Sequence, residues 1–110
     1  MPIFVTQGRY TSEGIKGLVT KPEDRTEEVG KLIAAGGGKL HSFFYTLGEY
    51  DFMVIAEGPN ERDVVSSLLA AAASGTVTDL KTTAVISAAD MKHCCTKAGS
   101  IAAKFRPAGK

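Results

Sequence analysis

Five side chains in this sequence have the chemistry to move a proton or to orient a small polar ligand: Tyr10, His41, Tyr45, Tyr50 and Asp51. Proton transfer needs a base and an oriented donor in a place that water leaves. His41 or Asp51 would supply the base, and Tyr10 or Tyr50 the donor. Tyr50 and Asp51 belong to the stretch T-L-G-E-Y-D, residues 46–51, which runs straight into the apolar F-M-V-I. The plain alternative is architectural. Gly48 makes a corner with Glu49, the aromatics are core, and Asp51 accepts a hydrogen bond from Thr46 or pairs with Arg9. A lone histidine at the start of a strand is more often a satisfied surface group than a base. The five residues are therefore candidates for ligand binding, Gly48 and Glu49 are structural parts of the motif, and no catalytic role is assigned.

Other chemistries are poorly served. Met91, His93, Cys94 and Cys95 are close in sequence, but successive residues on a helix point about 100° apart, so the two cysteines do not converge on one ion. A zinc site wants three or four ligands, and the only other histidine is His41. No metal and no cofactor are expected. Gly36-Gly37-Gly38 follows a helix and precedes a strand, the reverse of the order that aims helix N-termini at phosphate.

Composition narrows the class further. A chain of 110 residues, 44% hydrophobic and 23% charged, makes one compact soluble domain with little left to enclose a large cofactor. Net charge is +1, but residues 91–110 hold five cations and no acid. Such a basic tail is read as solvated; no aromatic platform or groove-reading helix accompanies it, so nucleic acid is not an expected partner. Adjacent cysteines cannot staple a fold, the start lacks a signal-peptide pattern, and no apolar run reaches membrane length. The expected location is the cytoplasm.

The elements that must position the candidates follow from periodicity and punctuation. Ile3 to Thr6 reads as a strand, and Thr11 caps a short helix over Gly14 to Val19. Thr20 and Glu23 have capping-box spacing, with Pro22 in the first turn, so a longer helix is expected to start there. Its stripe is Val29, Leu32, Ile33 and Gly36, and the three glycines end it. Lys39 to Tyr45 and Asp51 to Ala56 read as strands. Asn60 caps a helix that ends at Gly75, and Val77 to Ile86 is a fourth strand. Ser87 and Asp90 cap a last helix to about Ala98. The order predicts an α+β fold: a ferredoxin-like βαββαβ sandwich, a four-stranded antiparallel sheet with helices on one face, plus a C-terminal helix. The expected domains are residues 1–90 and a basic helix or arm, 91–110.

The middle strands form a hairpin. A two-residue Gly48-Glu49 turn of type II′ pairs Tyr45 with Phe52, Phe44 with Met53 and Phe43 with Val54; a four-residue Leu47 to Tyr50 loop keeps that register. Alternation puts Ser42, Phe44, Thr46, Asp51, Met53, Ile55 and Glu57 on one face, and His41, Phe43, Tyr45, Leu47, Tyr50, Phe52, Val54 and Ala56 on the other. Both faces are apolar in the middle, and the helices cover only one. The simplest cover for the second is the same face of a second copy, giving a homodimer; the alternative is that the last helix folds back over it.

The motif T-L-G-E-Y-D-F, preceded by G-G-K-L and an aromatic strand, resembles the GYD-domain family. The opening F-V-T-Q-G-R-Y-T-S-E-G-I-K-G-L is similar to that family's first segment. The resemblance covers about residues 1–90 and stops at Met91. It implies a ferredoxin-like domain of the dimeric α+β-barrel kind and supplies no activity. Two functions stay open. One is a non-enzymatic homodimer that stabilises a partner or binds a small organic ligand in a pocket between sheet and helices, lined by Phe43, Phe52 and Val54. The other is a cofactor-independent monooxygenase or isomerase acting on a small aromatic or enolic substrate.

Overall fold

All 110 residues are described in the computed structural model. Strand β1 spans Ile3–Tyr10, α1 Ser12–Thr20, α2 Thr26–Ala35, β2 Lys39–Tyr45, β3 Phe52–Glu57, α3 Glu61–Ala73, β4 Val77–Val85 and α4 Ala88–Ala102. The strands make one antiparallel sheet in the order β2-β3-β1-β4. Helices α2 and α3 lie on one of its faces, which is the ferredoxin-like arrangement.

Side-chain caps start three of the four helices. Thr11 accepts from the Gly14 N–H, Asn60 from the Asp63 N–H and Ser87 from the Asp90 N–H. Helix α2 departs from expectation. The Thr20–Glu23 capping box does not form, because α1 runs through Thr20 and leaves it no extended backbone with which to cap. Residues 21–25 are a linker, and the Asp24 carboxylate accepts the Thr26 N–H at 2.9 Å. Helix α4 runs past Ala98 to Ala102; Gly99 does not end it, and its carbonyl accepts the Ala103 N–H.

The hairpin has the expected register but not the tight turn. The loop is the four-residue one, closed by the Thr46 N–H donating to the Asp51 carbonyl at 2.8 Å. The Thr46 hydroxyl donates to the Tyr50 carbonyl at 2.7 Å, and Arg9 Nε to the Glu49 carbonyl at 2.7 Å. The loop's carbonyls thus find partners outside it, and no type II′ turn is needed to satisfy them. Gly48 has φ +150°, a value that favours glycine.

A bulge between Leu40 and Ser42 inserts one residue into β2. It reverses the parity upstream of Ser42. Leu40, not His41, packs beside Phe43 against the core of Phe52, Val54 and Ala56. The expectation that His41 shares a face with Phe43 and Tyr45 is corrected by that single extra residue.

No side chain is completely sealed from water, and only 8 of 110 residues are buried, so the helix layer closes the core incompletely. The opposite sheet face is apolar at its centre. Register brings Val5, Ile55, Met53 and Phe44 together there, with Ile3 and Val85 beside them and Gln7, Lys81 and Thr83 along one side. Phe44 is 54% exposed. Helix α4 does not cover this face: every one of its residues is exposed, and the molecule measures 63 × 29 × 22 Å.

Candidate functional site

Between the sheet and helices α2 and α3 lies a cleft of about 330 Å³. That is the lower end of the size range for small-molecule pockets. Phe4, Phe43, Phe52 and Val54 form its floor, and Val29, Leu32, Ile33, Val64 and Leu68 its walls. Its polar groups include Thr6, Tyr10, Arg25 and Glu28. Thr6 is buried, and its hydroxyl is satisfied by the Thr82 hydroxyl at 2.8 Å.

Tyr10 is the last residue of β1 and the one of the five candidate ligand-binding residues that lines this cleft, beside the expected apolar lining of Phe43, Phe52 and Val54. Its ring lies 5.2 Å from Phe52 and 6.1 Å from Tyr45, and Tyr45 lies 5.1 Å from Phe43. Burial pushes the Tyr10 phenol well above the ordinary tyrosine value, and the neighbouring Tyr45 phenol adds to the shift. At neutral pH Tyr10 is therefore a hydrogen-bond donor, not a base.

Asp51 sits behind Tyr10. Its carboxylate accepts the Tyr10 backbone N–H at 2.9 Å, while its own N–H donates to the Gly8 carbonyl at 2.8 Å. The β1–β3 ladder ends at the Gly8–Phe52 pair, and Asp51 continues it with a side chain where the backbone no longer reaches. The expected partners differ: Asp51's carboxylate takes neither Thr46 nor Arg9. Arg9 turns instead to Glu49 and, at 3.4 Å, to Asp79, with its guanidinium 5.4 Å from the centre of the Tyr50 ring. Tyr50 thus packs under Arg9, beside a shallow polar hollow that includes Gln7, Gly48, Glu49 and Lys81.

His41 stands at the opposite end of β2 from Tyr45. It meets the Glu57 carboxylate at 2.9 Å, and that hydrogen bond holds the Glu57 carboxyl below the usual range. The structure brings Tyr10, Tyr45 and Asp51 together and leaves Tyr50 and His41 outside the group. Arg25 and Glu28 were not picked out in the sequence. Arg25 had a legible signal: it lies four residues before Val29, on the same face as the stripe Val29, Leu32, Ile33 and Gly36. No group of three or more His, Cys, Asp or Glu is close enough to hold a metal ion, and no helix is long and apolar enough to cross a membrane.

The family model described as the GYD domain matches residues 4–95. Over 77 residues the chain is 30% identical to the "Glutamine synthetase and cystathionine beta-lyase binding protein" of Thermus thermophilus, covering 70% of this chain and 81% of that protein. Among solved structures, that of MtbAldR superposes with a TM-score of 0.53 at 12% identity, over 78% of this chain and 52% of that one. The chain spans about half of MtbAldR, and identity that low shows a shared fold alone.

Proposed function

Since the chain belongs to the GYD-domain family, we propose that it is a non-enzymatic homodimer that binds a small organic ligand in the cleft. The observation that carries this reading is the cleft itself: a mainly apolar space of about 330 Å³ with Tyr10 and Arg25 among its polar lining residues. An apolar body with one hydrogen-bond acceptor suits such a lining. Binding is favoured over catalysis because the groups suited to a base are engaged elsewhere. Asp51 is spent on the Tyr10 backbone, and His41 on Glu57.

The homodimer is supported by the open sheet face. Val5, Met53 and Ile55 are half-buried and Phe44 exposed; a contiguous apolar patch of this kind marks an interaction site, and the same patch on a second copy would cover it under a two-fold axis. The exposed thiols of Cys94 and Cys95 fit a reducing location such as the cytoplasm.

A second reading has its own support. The relative from Thermus thermophilus is named for binding two enzymes, and the exposed apolar residues here could serve a protein partner in place of a small ligand. The two readings separate in one experiment. Anilinonaphthalene sulfonate, an apolar fluorescent anion, is expected to bind with enhanced fluorescence, and Ala71→Trp, which fills the cleft, is expected to abolish the signal. If Ala71→Trp binds the dye as wild type does, the cleft is not a ligand site.

A further inference from the structure

Helix α4 has the sequence of a helix that packs and the surroundings of one that does not. Met91, Cys94, Ala98 and Ile101 recur at spacings of three and four, so they form one row along its length. Met91 is 49% and Ile101 57% exposed. A helix of 15 residues owes most of its stability to packing such a row against something. In a molecule 63 Å long and 29 Å across, the arm carries its row clear of its own body.

Charge decides what that molecule is. Residues 88–110 hold five cations and one acid, a net of +4, while residues 1–87 hold eight cations and eleven acids, a net of −3. None of the arm's cations has an ion pair within the chain. Arm against arm would set like charges together. Arm against the body of a second copy sets opposite ones together. The open sheet face is a poor receiver, since Arg9 and Lys81 belong to its side of the sheet. Helix α3 is a better one. Its inner residues Val64 and Leu68 line the cleft, whereas Glu61, Val65 and Leu69, four residues apart, form an outward row. Val65 is 49% and Leu69 65% exposed, and Glu61 has no ion pair in the chain.

We infer that α4 of one copy packs its Met91–Ile101 row along the Glu61–Val65–Leu69 row of α3 in a second copy, with Lys97 meeting Glu61. Lys97 lies one turn from both Cys94 and Ile101, at the edge of the apolar row. The inference does not rest on the cleft being a ligand site, because the α3 residues it uses face away from it.

The test uses the full chain carrying Val65→Cys under mild oxidation, because with Lys97 at Glu61 it is Val65, one turn along α3, that comes level with Cys94. The expected product is a reducible link between copies that joins position 65 to Cys94. Ile101→Asp is expected to remove that link and to weaken self-association about tenfold or more by sedimentation. Glu61→Lys is expected to weaken it less, and Lys97→Glu in the same chain to restore it. These positions are exposed, so circular dichroism should show the fold retained. Links only between arm cysteines, a link from position 65 within one chain, or self-association unchanged by Ile101→Asp would each overturn the inference.

Discussion

The Asp51 carboxylate holds the backbone N–H of Tyr10 at 2.9 Å, so the acid of the G-E-Y-D motif acts on the cleft through main chain and not through its own reach into it. The motif's tyrosine does not enter the cleft either; it supports Arg9 on the loop side. A corner that looks chemical is therefore a bracket for a different tyrosine, 40 residues upstream of the motif's own.

Replacing Asp51 with alanine leaves the Tyr10 N–H without its partner in a half-buried place. A loss of about 1–3 kcal/mol of unfolding free energy is expected. Asp51→Asn keeps an acceptor oxygen and should lose less. Chemical denaturation of the two variants checks the order; equal losses would mean that the carboxylate's charge, not the hydrogen bond, is what matters.

Tyr10 should give the domain an alkaline limit. Its folded-state phenol titrates above the unfolded value near 10.0, so below that value both states hold the proton and stability is unaffected. As pH rises past it the unfolded chain loses the proton first, and stability falls until the folded phenol titrates too. Unfolding measured between pH 9 and pH 12 is expected to show this decline, with a smaller slope in Tyr10→Phe. Identical slopes would place the Tyr10 ring in water.

On the open sheet face, Ile55→Asp puts a charge at the centre of the patch. Light scattering is expected to show wild type above the 11.6 kDa of one chain and the variant smaller than wild type, with only the assembly that the α4–α3 contact supports. A wild-type protein that already scatters as 11.6 kDa removes the sheet-to-sheet homodimer.

Two glycines should respond in opposite directions to alanine. At Gly8 a methyl group would fall 2.6 Å from the Phe52 ring and 2.7 Å from Leu80, and such overpacking costs about 1–3 kcal/mol. At Gly17, inside α1, a methyl group meets nothing within 4 Å, and Gly17→Ala is expected to add about 0.5–1 kcal/mol. Thermal melts of the pair check this; a stabilised Gly8→Ala would show that Phe52 has room to move.

Much of the fold was legible because periodicity and caps agreed. Asn60 and Asp63, Ser87 and Asp90, and the Phe44–Met53 register each rest on short-range signals that survive folding. The site was less legible, for identifiable reasons. The bulge at His41 leaves no mark in composition, yet it inverts which residues of β2 face the helices. Thr20 satisfies a capping pattern, but α1 claims it first, so α2 starts only at Thr26. Asp51 offered two plausible partners by type, Thr46 and Arg9, and only the path of β1 past the hairpin selects the Tyr10 N–H instead. Its pairing is decided by tertiary geometry.

The absence of any wholly sealed side chain bears on how this protein would behave at the bench. If a neighbour completes the packing, dilution strips away part of the hydrophobic layer, and mass action makes the melting temperature climb with protein concentration. Heat resistance would then be a property of the sample and not of the single molecule.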